Sequence, residues 1–110
     1  MADLEITPRD LAARLARGEP TVLLDVREPW EHVRAAIAGA VLVPLGELPQ
    51  RWAEVTVPAG ALVVAYCHHG VRSLRAASWL RAQGAAHAVS LAGGIDAWSC
   101  DVDPRVPRYG

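Results

Sequence analysis

Short apolar runs alternate with amphipathic stretches along the chain, and turn residues separate them. Thr7-Pro8-Arg9-Asp10 reads as a helix start: Thr7 can cap, Pro8 suits the first helical position, and Asp10 favours the positive end of the helix dipole. Leu11 and Leu15 share one face of that helix, and Gly18 is placed to stop it. Val22-Leu23-Leu24-Asp25-Val26 has the pattern of a short buried strand. Arg27-Glu28-Pro29 then turns the chain, with a short helix expected from Pro29 to about Arg34. Val41-Leu42-Val43 reads as a strand, followed by a short helix through Leu48 to Trp52. Ala61 to Tyr66 is apolar throughout, the strongest strand signal, which implies cover on both faces.

A helix is predicted from about Val71 to Gln83, with Leu74, Ala77 and Leu80 at helical spacing and Gly84 as its stop. His87 to Leu91 is a further strand, and Gly93-Gly94 precedes a short helix carrying Ile95 and Trp98. Pro104 and Pro107 predict an extended tail. Strands alternating with helices predict an α/β fold with a mostly parallel sheet. Such sheets bind ligands beyond the carboxyl ends of their strands.

Composition narrows the class. The 110 residues are 52% hydrophobic, enough for one packed core and too few for two domains. No stretch approaches the roughly 20 apolar residues of a spanning helix. The acidic start, Met1-Ala2-Asp3-Leu4-Glu5, lacks the layout of a signal peptide, so the expectation is a soluble, cytoplasmic protein forming one domain over residues 1–110. Eleven basic and 12 acidic residues give a net charge of −1 with no run of either sign. Neither nucleic acid nor an anionic membrane is therefore expected as a partner, since both call for a concentrated basic face. Two cysteines, Cys67 and Cys100, are too few for a disulfide framework.

One strand end concentrates chemistry: Tyr66-Cys67-His68-His69-Gly70-Val71-Arg72-Ser73. A cysteine that closes a buried strand and is followed by a short turn into a helix meets unpaired backbone N–H groups and the helix dipole. Both favour the thiolate. His68, His69 and Arg72 add donors and positive charge, and Gly70 lets the backbone curl around an anion. The segment reads as a nucleophilic thiolate on the floor of an anion-binding cradle.

At this point the chain resembles the rhodanese family over nearly its whole length. Leu24-Asp25-Val26-Arg27-Glu28-Pro29 is similar to the family's first signature, followed by Ile37-Ala38-Gly39-Ala40 and Val43-Pro44-Leu45. Cys67 to Ser73 resembles its cysteine loop, and Leu91-Ala92-Gly93-Gly94-Ile95 with Trp98 its last signature. Ala35-Ala36 stands where the family usually has Gly-His. The tail, Val102-Asp103-Pro104 and Val106-Pro107-Arg108-Tyr109, is similar to rhodanese domains that end adenylyltransferases of cofactor synthesis. The resemblance implies a central sheet of about five strands with helices on both faces. It also implies a sulfurtransferase in which Cys67 takes sulfur from a donor such as thiosulfate and passes it, as a persulfide, to a thiol or cyanide acceptor. No cofactor is implied.

Other readings stand beside this one. A relay of sulfur between proteins would use the same nucleophile, whereas a non-catalytic binding module would not need it. Four residues separate Cys67 from Arg72, one fewer than in cysteine phosphatases, and the shorter cradle suits a sulfur atom better than a tetrahedral phosphate. Adjacent Cys67, His68 and His69 cannot easily wrap a tetrahedral ion, so no metal is expected. Asp25 and Arg27 lie at a strand end near the loop, where a structural ion pair is the simplest role. Ser73 is expected to cap the helix or contact the anion, and the two histidines to serve the site or be merely solvated. Cys100 is read as a chance thiol rather than a resolving one, and the four tryptophans as core.

Overall fold

The computed structural model describes residues 4–110; Met1, Ala2 and Asp3 of the acidic start lie outside them. The elements in chain order are β1 (Glu5–Ile6), α1 (Pro8–Ala16), β2 (Thr21–Asp25), α2 (Pro29–Arg34), β3 (Val41–Leu42), α3 (Leu48–Arg51), β4 (Leu62–Tyr66), α4 (Val71–Ala82), β5 (Val89–Leu91) and α5 (Gly94–Asp101). All strand pairs are parallel, in the order β1-β5-β4-β2-β3. The two longest strands, β2 and β4, lie side by side in the middle, with Asp25 opposite Tyr66.

Period-two alternation along these strands divides the interior in two. Leu23, Val64 and Tyr66 face one cluster with Leu11 of α1 and Ile95 and Trp98 of α5. Val22, Leu24, Val63, Ala65 and Cys67 face the other, with Leu48 of α3 and Ala76 and Leu80 of α4. Helices therefore cover both faces, which is why β4 could be apolar throughout. Among the described residues no helix is long and apolar enough to cross a membrane.

Local signals act as their chemistry dictates. The Asp10 N–H donates to Thr7 Oγ1 at 3.1 Å, capping α1. Several expectations differ from the structure. Strand β1 carries no pattern in so short a span, and β5 begins at Val89 because exposed His87 precedes the ladder. Leu15 is over a third exposed although it shares a helix face with fully buried Leu11. Of the tryptophans only Trp98 is buried; Trp30 is 60% exposed, and Trp52 and Trp79 are half-buried.

The tail is not extended along its length. Asp103 bends it, accepting the Val106 N–H on its carbonyl and the Arg105 N–H on its carboxylate, at 3.0 and 3.1 Å. The Ser99 hydroxyl donates to the Val106 carbonyl at 2.6 Å, and Tyr109 returns to the interior, only 9% exposed.

At the carboxyl ends of β2 and β4 lies a fully buried ion pair. Arg27 donates through Nε to Asp25 Oδ1 at 2.8 Å and through Nη2 to Oδ2 at 2.6 Å. Its Nη2 also donates to the Ala35 carbonyl at 2.6 Å, fixing the exit from α2. The Tyr66 hydroxyl donates to Asp25 Oδ2 at 3.2 Å and accepts the Ile37 N–H at the same distance. Burial, ahead of the neighbouring Asp25 charge, pushes the Tyr66 phenol well above its ordinary range. Replacing Arg27 by Met strands the Asp25 carboxylate in the interior, so urea unfolding should show a loss of about 3–5 kcal/mol.

Candidate active site

Strand β4 delivers Cys67 to the carboxyl edge of the sheet, on the face covered by α4. The chain must then reverse within three residues before α4 begins. Gly70, at φ 104°, makes that reversal in the left-handed region. The loop carbonyls turn away from the sulfur toward α5: Cys67 O accepts the Ile95 N–H at 2.8 Å and His68 O the Asp96 N–H at 3.1 Å. The otherwise unpaired first N–H groups of α5 are thus satisfied by the cysteine loop. This approach leaves no room at Gly94, where a Cβ would stand 2.3 Å from His68 O and 2.4 Å from Cys67 O.

With those carbonyls held, two backbone donors converge on the sulfur. The Gly70 N–H reaches Cys67 Sγ at 3.1 Å and the Ser73 N–H at 3.3 Å. The Ser73 hydroxyl lies 3.4 Å from Sγ and 2.7 Å from the Ser90 hydroxyl of β5. Ser73 is thus a buried partner of the sulfur and not the helix cap; Gly70 occupies that position. Cys67 itself is 1% exposed. Both donors are backbone N–H groups fixed by the fold, so they meet the sulfur without reorganisation.

Charge around the loop is paired. Arg72 grips Glu31 of α2 with both terminal nitrogens, Nη1 to Oε1 at 2.6 Å and Nη2 to Oε2 at 2.8 Å. Arg72 holds the Glu31 carboxyl down at about 2, against the opposing effect of burial. Glu31 also accepts the Tyr109 hydroxyl on Oε2 at 2.8 Å, and that phenol oxygen accepts from Arg27 Nη1 at 2.8 Å. Burial pushes the Tyr109 phenol up to about 12. The connected groups run Asp25, Arg27, Tyr109, Glu31, Arg72, from the sheet to the end of the loop.

His68 lies between two rings, with centroids 3.9 Å away on either side: His69 at 25° and Tyr109 at 10°. Its Nε2 is buried without a hydrogen-bond partner. Burial, and then the neighbouring His69, hold the His68 imidazole below its ordinary proton affinity. His68, His69 and Asp96 bring potential ligand atoms within 4.8 Å of one another. Nearly parallel rings, however, send their in-plane lone pairs side by side and not toward one ion, and Asp96 is already held by Arg108 at 2.8 and 3.2 Å.

Residues 7–101 match the rhodanese-like domain family. The chain belongs to the rhodanese family. It is 38% identical over 106 residues to a protein named sulfurtransferase from Allochromatium vinosum, covering 96% of this chain and 97% of that one. It is 36% identical over 104 residues to the probable adenylyltransferase/sulfurtransferase MoeZ of Mycobacterium tuberculosis, covering 94% of this chain but only 26% of that longer protein. Among solved structures, a rhodanese-like domain protein from Staphylococcus aureus superposes with TM-score 0.79 at 27% identity, covering 96% of this chain and 98% of that one. The human single-domain sulfurtransferase TSTD1 gives 0.77 at 26% identity, over 89% and 96%.

Within this rhodanese fold the structure brings Cys67, Gly70 and Ser73 together, stacks His68 on His69, and leaves Val71 68% exposed. Arg72, expected to add donors and positive charge to the loop, is paired with Glu31. Asp25 and Arg27 form a buried ion pair, and Arg27 connects it to the loop by donating to the Tyr109 hydroxyl. Cys100 is an exposed free thiol on α5. Sequence reasoning assigned no role at the site to Glu31, Ser90, Gly94 or Tyr109. Gly94, half of a Gly-Gly pair opening a helix, and Tyr109, within the tail resemblance, were the two that left a signal.

Two outcomes follow from this geometry. Gly94→Ala should lower stability by about 1–3 kcal/mol, because an added Cβ must displace backbone. It should also move the amide resonances of Gly70 and Ser73. Glu31 gains its stabilisation above the ordinary carboxyl value of 4.5 and loses it as pH falls from there toward about 2. Urea unfolding across that window should therefore be steeper in pH for the wild type than for Glu31→Gln.

Proposed function

We propose that this protein, acting as a single rhodanese domain over residues 1–110, transfers sulfane sulfur through a persulfide on Cys67. The observation that carries the reading is the pair of backbone N–H groups, from Gly70 and Ser73, directed at a cysteine sulfur at the end of a buried strand. In the first step the Cys67 thiolate attacks the outer sulfur of thiosulfate. A new S–S bond forms, the donor's S–S bond breaks, and its electron pair leaves with sulfite. In the second step a thiolate or cyanide attacks the outer sulfur of the persulfide, and the Cys67 thiolate departs. One difficult transfer becomes two easier ones, with no cofactor. The loop N–H groups act in both steps, since sulfur carries negative charge at each resting point. A reducing compartment such as the cytoplasm suits a mechanism that needs Cys67 free.

A second reading, relay between proteins, is favoured by exposed apolar side chains on α2 and at Val71. Trp30 and Val33 of α2 and Val71 are 60%, 86% and 68% exposed. Such a surface would seat a protein donor or acceptor, as in a pathway that sulfurates a cofactor.

Intact mass after incubation with thiosulfate tests both readings. The wild type and Cys100→Ala should gain one sulfur atom that cyanide removes, and Cys67→Ala should gain none. A gain only from a persulfidated protein donor would select the relay. No gain from either donor would overturn the persulfide mechanism.

A further inference from the structure

Tyr109 touches the cysteine loop directly at His68 and reaches Arg72 through Glu31. Its ring lies flat on His68, the residue after the nucleophile, at 3.9 Å and 10°. Its hydroxyl donates to Glu31 Oε2, the oxygen that also accepts from Arg72 Nη2, both at 2.8 Å. The residue is held from three sides. Arg27 Nη1 donates to its hydroxyl, Trp30 meets its ring edge-on at 6.0 Å, and Arg108 pairs with Asp96 at 2.8 Å just before it. No signature of the loop itself accounts for these contacts, which come from the other end of the chain.

We propose that Tyr109 is a positioning residue that clamps the cysteine loop at both ends, by stacking on His68 and by holding Arg72 through Glu31. The proposal rests on the persulfide reading for its kinetic consequence but not for its structural one. The hydroxyl gives Glu31 Oε2 a second donor that fixes the carboxylate, so the ion pair holds Arg72 where an anionic donor meets it. Without it, Glu31 and Arg72 can shift together, and the donor meets a cation out of register. The ring shields one face of His68 from water, so it governs how readily that imidazole takes a proton. The groups that bear on that proton are His69 on the opposite ring face, the Tyr109 backbone, which every Tyr109 variant keeps, Asp96 and Glu31.

The test separates the two contacts. Tyr109→Phe keeps the ring and loses the hydroxyl, so KM for thiosulfate should rise about fivefold with kcat within about twofold. Tyr109→Ala loses both contacts, so kcat should fall at least about fivefold as well. In NMR titration, His68 should move up toward ordinary imidazole behaviour in Tyr109→Ala and stay in place in Tyr109→Phe. Val22→Ala, at the opposite end of β2, calibrates what lost stability alone does to each reading. An unchanged KM in Tyr109→Phe, an unmoved His68 in Tyr109→Ala, or effects no larger than those of Val22→Ala would overturn the clamp. If the wild type accepts no sulfur at all, the persulfide reading fails, and the His68 titration still decides the clamp.

Discussion

The contact between the amino end of α5 and the carbonyls of Cys67 and His68 is the constraint on which the site depends. A strand that ends in a tight reversal exposes carbonyls and N–H groups in several directions, and bringing N–H groups together on one sulfur requires that they be sorted. Here Ile95 and Asp96 supply N–H groups that draw the carbonyls to one side. The N–H groups of Gly70 and Ser73 are then turned to the sulfur. Close backbone approach makes this possible, and only a residue without Cβ at position 94 permits it. The same exchange solves the capping problem of α5, whose own N-cap offers no side chain.

Around this frame the protein spends its charges on each other. Asp25 accepts from Arg27, Tyr66 and the neighbouring His32 ring, so its oxygens are fully engaged in the interior. Buried ion pairs are poor sources of net stability but strong sources of definition, because every partner left alone is severely penalised. The pair fixes the exit of β2 and of α2, and α2 in turn presents Glu31 to Arg72. The loop therefore takes its shape from backbone contacts on one side and from a charge network on the other.

The elements that build the sheet's centre were legible in the sequence, because β2 and β4 are long apolar runs and α2 and α4 carry Pro29 and Gly84 at their boundaries. The strand-to-helix setting of Cys67 was legible for the same reason. What escaped were tertiary facts. Glu31 reads as one acidic residue among several until the fold places α2 beside Arg72. Ser90 lies in the middle of an apolar strand, and its role exists only because β5 runs beside β4. Pro104 and Pro107 suggested extension, yet Asp103, which bends the tail with its own carboxylate and carbonyl, was the stronger local signal. Trp30 illustrates the opposite error, since a large aromatic was counted as core although it sits at the rim of the site.

The hydrogen bonds of Tyr109 to Arg27 and Glu31 span 82 and 78 residues of sequence. Contacts of such separation close long loops and form after the local ones have reduced the chain's entropy. Synthesis from the amino end adds a second delay, because Cys67 and its strand emerge well before residue 109 does. The last contacts made are therefore those that complete the electrostatics of the loop. A partly folded chain can hold its sheet and its thiol while the contacts of Tyr109 to Arg27 and Glu31 are still unmade, so order around the loop is completed after the core.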